Sequence, residues 1–463
     1  MRNKEGESLK TLIKNGTIVT DEDIFTGDLL LDGEKIAEIG PGLSAEDARV
    51  VDASGKLVFP GFIDAHTHFD LPVSGTVTAD DFESGSECAL LGGTTCVVDF
   101  ATQDFGESLA TALQNWHEKA DGRASCDYAF HMAISQWTPE VRKEMADMVA
   151  QGIPSFKIYM TYGNRVSDEE IYDILTEARE LGALVCVHCE NHGIIQARIK
   201  ELLSDGSSAP ASHPLAHPDQ TEAEAIHRLL TIAELVDVPV MVVHLTSKAG
   251  LKEIKRFRKR GVEVYTETCP QYLLLEDDVY EKPRFEGAKY VCSPPIRKKR
   301  DRKALWKGLE RGDIQLVSTD HCTFTLEQKV AGKDDFSKIP GGVPGVEERV
   351  GLLLTYGVRS GKLSLQQMVE LLSTNPARLY GLYPRKGALQ PGSDADVVLW
   401  DPAAHRTLRD ENVHTRAAYT AYRGMEIQGA AETVFLRGQM VVENGALVRE
   451  HQGQFIPRVP GEL

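Results

Sequence analysis

Between Gly61 and about Leu382, short β-rich apolar runs alternate with amphipathic stretches. The runs predict strands at residues 62–68, 94–100, 127–134, 155–160, 184–190, 238–246, 262–269 and 315–321. The intervening segments repeat apolar positions with helical period. Ser167-Asp168-Glu169-Glu170 and Thr221-Glu222-Ala223-Glu224 both match a capping box and predict helix starts. After the first, Ile171, Ile174, Leu175 and Ala178 form an apolar stripe. Eight such alternations argue for an α/β fold, a (β/α)8 barrel with insertions. A doubly wound open sheet is the runner-up, weakened because no G-x-G-x-x-G follows an early strand.

The two ends have a different pattern. Residues 1–58 read as short strands: 12–20 with Asn15-Gly16 as an internal turn signal, 28–40 broken at Asp32-Gly33, and 49–58 broken at Ser54-Gly55. Beyond Pro384, strands return at 397–400 and in a hairpin over 433–447 around Glu443-Asn444-Gly445. The expected organisation is a catalytic barrel over 59–383 and a small β-sandwich shared by 1–58 and 384–463. The Pro-containing tail, residues 455–460, is expected to strap the barrel or a neighbouring subunit, or to fray.

Composition narrows the partners. The 463-residue chain is 42% hydrophobic and 26% charged, with a net charge of -18. That balance argues against nucleic acid or an anionic membrane as partner. No apolar run approaches the roughly 18 residues of a membrane span, and Met1 to Glu7 hold no signal-peptide core. Eight scattered cysteines fit free thiols in the cytoplasm. Cys186-x-x-Cys189 invites a zinc or redox reading, but within a strand the two face opposite sides, which favours packed thiols.

The candidate chemistry starts at Phe59-Pro60-Gly61-Phe62-Ile63-Asp64-Ala65-His66-Thr67-His68. On a strand, His66 and His68 share a face, and two imidazoles there can chelate one metal ion. A barrel carries its chemistry at the C-terminal strand ends. Those ends supply His66 and His68, then Lys157, His188, His244 and Asp320. In Ser155-Phe156-Lys157-Ile158-Tyr159-Met160, the apolar Phe156, Ile158 and Met160 face the helices, so Lys157 is expected to point into the barrel. Burial beside metal ions would lower its pKa. The neutral amine could then add carbon dioxide, and the resulting carbamate has two oxygens able to bridge two metals. A lysine that snorkels to water or pairs with Asp320 is the alternative.

These motifs resemble the binuclear amidohydrolases, specifically the dihydropyrimidinase/D-hydantoinase group. The resemblance runs almost end to end. It includes residues 61–70, Gly75 to Phe82, Gly92-Gly93-Thr94-Thr95, 155–162, 187–191, 243–247, Ser293-Pro294-Pro295-Ile296-Arg297, 318–323, 338–348 and 392–396. It implies that His66 and His68 hold one metal and His188 and His244 the other. Carbamylated Lys157 would bridge them, and Asp320 would be both ligand and general acid/base. It further implies that Tyr162 hydrogen-bonds the substrate and that Ser293 and Gly341 contact it largely through main chain. Zinc is the default metal from the histidine-rich ligand set, with manganese or cobalt as alternates. The implied activity opens a cyclic amide, a dihydropyrimidine or 5-substituted hydantoin, to an N-carbamoyl amino acid. The implied assembly is a homotetramer or homodimer.

One position departs from the pattern: Gly341 stands where many relatives have Asn. Dihydroorotases usually place Arg at the position of Asp70, and allantoinases usually carry Asn-Glu-Pro where this chain has Asp70-Leu71-Pro72, so both are weaker alternatives. Non-enzymatic dihydropyrimidinase-like scaffold proteins lose metal ligands, whereas all six are present here.

Overall fold

The computed structural model describes residues 10–461; Met1 to Glu7, read above for a signal peptide, lie outside the described residues. The chain opens with β1 (Lys10–Val19), β2 (Ile24–Asp32), β3 (Lys35–Gly40), β4 (Arg49–Asp52) and β5 (Leu57–Pro60). Gly61 alone separates β5 from β6 (Phe62–Thr67), where a second sheet begins. A side chain at Gly61 would collide with Thr95. The two sheets therefore meet at a residue with none.

A two-residue hairpin, β7 (Pro72–Val73) and β8 (Thr76–Val77), follows, then β9 (Thr94–Thr102), β10 (Asp127–Ala133), β11 (Ser155–Tyr159), β12 (Leu184–His188), β13 (Val240–Val242), β14 (Val264–Thr268) and β15 (Leu316–Val317). Strands β6 and β9 to β15 form an eight-stranded sheet in chain order, parallel at every pairing. Covered on both faces, these strands carry the near-continuous apolar runs seen in the sequence. A Thr67–His321 bridge brings the two edges together, and the His68 amide donates to the His321 carbonyl at 2.9 Å. The result is the expected (β/α)8 barrel, nearly closed.

The helix Asp168–Leu181 starts at the expected capping box on Ser167, ends at Gly182 and buries Ile171, Ile174, Leu175 and Ala178. The Thr221 capping box does not form. That helix runs Asp219–Val236 from Pro218, so Thr221 lies inside it and its hydroxyl donates to the Pro218 carbonyl. Glu222, expected to lie in an N-terminal box, is instead buried and accepts from the Thr246 amide and hydroxyl. The sixth and eighth strands are also shorter than the apolar runs predict. Past β13 and β15 the chain leaves the ladder and enters left-handed backbone at His244 (φ 38°) and Asp320 (φ 53°).

The chain ends with β16 (Val397–Thr407), β17 (Glu426–Leu436), β18 (Gln439–Glu443) and β19 (Ala446–Leu447). They join the first five strands in one nine-stranded sheet, with β5 between β1 and β16. Ile13, Leu29, Val58, Val397 and Phe435 share one apolar cluster there. Asn15-Gly16 is a bulge rather than a turn: the β1–β2 register shifts between Ile13 and Gly16, and Asp28 accepts from the Asn15 amide. The segment 433–447 holds three strands, not one hairpin. An extra turn occurs at Arg437-Gly438 because the Arg437 amide donates to Asp396 and its guanidinium to Asp127.

The tail straps its own barrel. Backbone bonds join Gly453 to Ala124, Ile456 to Tyr128 and Arg458 to Gly152. No helix among the described residues is long and apolar enough to cross a membrane.

Candidate active site

Strand alternation brings the expected residues together. His66 lies on β6 with His68 just past its end, and both are buried. Lys157 sits on β11, where Phe156 and Ile158 pack in the core cluster beneath the helices, so its side chain takes the opposite face. It is 1% exposed. His188 ends β12 opposite Tyr159. His66, His68, Lys157, Tyr162, His188, His244, Ser293, Asp320 and Gly341 all line one cavity of about 540 Å³. Leu71, Phe105, Ile195, Phe336 and Ile339 give its wall apolar surface. This suits a small ligand with a few placed polar groups.

The cluster is tight. Asp320 Oδ1 lies 3.3 Å from His66 Nε2 and 3.2 Å from His68 Nε2. The His188 and His244 rings are 4.6 Å apart, and His66 and His244 are 5.4 Å apart. Lys157 Nζ is 4.9 Å from the Phe100 ring centre and 5.4 Å from that of Tyr159. The Phe100 ring also stacks on His68 at 5.0 Å and on His131 at 4.7 Å. Tyr162 and Ser293 line the same cavity, and Tyr162 has left-handed backbone (φ 71°), as do His244 and Asp320. Such backbone in non-glycine residues costs on the order of 1 kcal/mol each and concentrates at functional sites.

Electrostatics favour neutral imidazoles. Burial holds His66, His188 and His244 below the usual histidine range, with Lys157 adding to the effect. Burial likewise lowers the Lys157 ammonium. For Asp320 burial acts upward, but the facing His66 and His68, with Lys157, outweigh it and keep the carboxyl below its ordinary value. Neutral imidazole, carboxylate and a depressed amine are the protonation states that metal binding requires.

The donor set fits metal ions on an independent observation. Among the described residues, His66 Nε2 and His244 Nδ1 are buried with no hydrogen-bond partner. Buried polar atoms seldom stay unpaired unless something else satisfies them. His66, His244 and Asp320 each offer a ligand atom within 4.8 Å of the other two.

The carboxylates that orient these rings were not singled out in the sequence. Glu267, on β14, meets His66 Nδ1 with one oxygen and accepts from Ser318 with the other at 2.9 Å. Burial pushes its carboxyl up to about 7. Glu190 accepts from His188 Nε2 at 2.8 Å and from His217 Nδ1 at 2.8 Å. Glu267 leaves His66 Nε2 facing Asp320, which is how orienting carboxylates serve metal ligands. The signals were present: an acidic residue inside the apolar seventh run, and Glu190 two positions beyond His188. Cys186 and Cys189 are buried free thiols, as expected; burial pushes Cys186 up to about 12.

Residues 57–441 match the model of the amidohydrolase family. The chain is 44% identical over 452 residues to a D-hydantoinase of Geobacillus stearothermophilus, covering 96% of both chains. It is 40% identical to a dihydropyrimidinase of Dictyostelium discoideum, covering 97% of this chain and 91% of that one. The crystal structure of a dihydropyrimidinase from Brevibacillus agri superposes with a TM-score of 0.97 at 43% identity, covering 98% of this chain and 100% of that one.

Proposed function

The chain belongs to the amidohydrolase family, in its D-hydantoinase and dihydropyrimidinase group, and on that premise we propose that its buried cluster holds two divalent metal ions. The enzyme is a cyclic amidohydrolase that opens the ring of dihydropyrimidines or hydantoins. His66 and His68 would hold one ion with Asp320, and His188 and His244 the other. Lys157 would bridge them as its carbamate, formed from carbon dioxide. Zinc is the first choice for the histidine-rich set, with manganese or cobalt as alternates. The observation that carries this reading is the gathering of His66 Nε2 and His68 Nε2 on Asp320 Oδ1 beside a buried, depressed lysine.

When bound, such ions supply Lewis acidity and lower the pKa of water. The remaining work falls to the protein. The Tyr162 hydroxyl donates to the ring carbonyl oxygen as negative charge develops there. Asp320 takes the proton of the attacking water and returns it to the leaving ring nitrogen. Water thus adds across the C–N bond, and the product is an N-carbamoyl amino acid. Main-chain groups of Ser293 and Gly341 hold the ring, and the apolar wall excludes water. Buried free thiols support a cytoplasmic location, and the family resemblance supports a homotetramer or homodimer.

Ring-opening rates on purified, metal-analysed protein test the reading, with 5,6-dihydrouracil and a 5-aryl hydantoin run side by side. Turnover of at least one is expected. Bound metal without turnover of either overturns it.

A further inference from the structure

Lys329 ends the short helix Leu326–Lys329 and is fully buried. Among the described residues no acidic side chain pairs with it. Its Nζ donates to three main-chain carbonyls: Val291 at 3.2 Å, Pro340 at 2.8 Å and Gly342 at 2.9 Å. In its protonated form the amine has three N–H donors, one for each carbonyl; burial draws its pKa down to about 7. These carbonyls flank the two segments that carry Ser293 and Gly341, and the Gly342 amide also donates to the Val291 carbonyl. A Cβ at Gly341 would stand 3.9 Å from both Cys292 Cα and Ser293 Oγ, so the two segments lie side by side on the cavity wall.

The planar peptide makes this arrangement consequential. The Pro340 carbonyl and the Gly341 N–H belong to one rigid trans unit and point in opposite directions. Holding that carbonyl fixes where the Gly341 N–H points. Among the described residues, that N–H has no hydrogen-bond partner of its own. Consecutive glycines at 341 and 342 leave the segment little intrinsic stiffness. At Gly342 any side chain would strike the Cys322 carbonyl, so the segment cannot be stiffened there by substitution.

We infer that Lys329 is a positioning residue for the substrate: by gripping the carbonyls of Val291, Pro340 and Gly342, it aims the main-chain groups of Ser293 and Gly341 at the ring of the cyclic amide. The inference rests on the proposed substrate contacts of those two residues. Lys329 touches neither the metal-binding cluster nor the reacting atoms, so its loss falls on binding of the ring more than on the chemical step.

The test compares the parent with Lys329→Met, which keeps the volume but donates nothing, and Lys329→Gln, which restores part of the donor set. KM on the better cyclic amide is expected to rise about tenfold or more in Lys329→Met and less in Lys329→Gln, with kcat within about threefold and metal content retained. Unchanged KM in both variants overturns the inference. So does a loss confined to kcat, or one that tracks loss of metal, as a merely structural lysine would give. If Lys329→Met does not fold, Lys329→Gln decides by the same criteria. Independently of turnover, amide hydrogen exchange across 339–343 is expected to quicken about tenfold in Lys329→Gln, and an unchanged rate overturns the clamp. A parent that opens no ring but shows this exchange difference refutes the substrate reading and leaves the clamp standing.

Discussion

Asp320 Oδ1 stands 3.3 Å from Nε2 of His66, although the two residues come from opposite ends of the barrel sequence. The contact depends on the eighth strand stopping at Val317 and on left-handed backbone at Asp320. Replacing Asp320 by Asn keeps the shape but removes the proton acceptor. Ring opening is expected to fall by roughly two to four orders of magnitude, with the fold intact by circular dichroism. A variant within tenfold of the parent rate would remove Asp320 from the proton path.

Gly341 has room for a side chain. It is not among the residues with left-handed backbone, and a Cβ there meets nothing closer than 3.9 Å. Gly341→Asn, the residue many relatives carry, is therefore expected to fold with stability changed by no more than about 0.5 kcal/mol. Its side chain would enter the cavity beside Ser293. The ratio of kcat/KM between dihydrouracil and an aryl hydantoin is expected to shift about tenfold. An unchanged ratio would show that position 341 does not tune substrate choice.

The C-terminal strap is expected to carry stability. Arg458 is buried and donates to the Tyr380 and Phe130 carbonyls and to Ser155 Oγ. Ser155 in turn meets His131 Nδ1 at 2.6 Å, and His131 stacks on Phe100, which stacks on His68. Arg458→Met strands two buried carbonyls and should cost about 3 kcal/mol, measured by urea unfolding. A loss under about 0.5 kcal/mol would mean the strap is dispensable.

Acid sensitivity should involve the junction of sheet and barrel. Asp394 is buried, which acts to raise its carboxyl, but Lys386, Lys35 and Arg385 outweigh that and hold it down to about 2. A depressed carboxylate contributes stability that is complete above its unfolded value of about 3.9 and is lost as pH falls through the folded value. Asp394→Asn is therefore expected to lower Tm at pH 7 and to flatten its decline between about pH 4 and 2. A parallel decline in both proteins would show that other groups govern acid unfolding.

Local pattern carried much of this molecule. The apolar runs gave the eight barrel strands, and two-residue alternation placed His66 beside His68 and turned Lys157 inward. What escaped was set by distant partners. The Thr221 box lost its expected role because Pro218 starts the helix earlier and Glu222 is drawn to Thr246. Glu267 looked like one of two acids in the seventh run, because its partners His66 and Ser318 are far away in sequence. Lys329 gave no signal at all, since three carbonyls that satisfy it carry no side-chain signature. The single strap contacts of residues 453–458 were likewise invisible, although the strap itself was anticipated.

The most direct measurement of the central claim is metal content together with intact mass, for the parent and for Lys157→Ala. The parent is expected to hold two divalent ions per chain and to show the added mass of one carbon dioxide on Lys157 under native conditions. Lys157→Ala is expected to lose ring opening and to retain metal poorly. If Lys157→Ala keeps both ions and the full rate, the bridging carbamate is wrong and the cluster must be rebuilt without it.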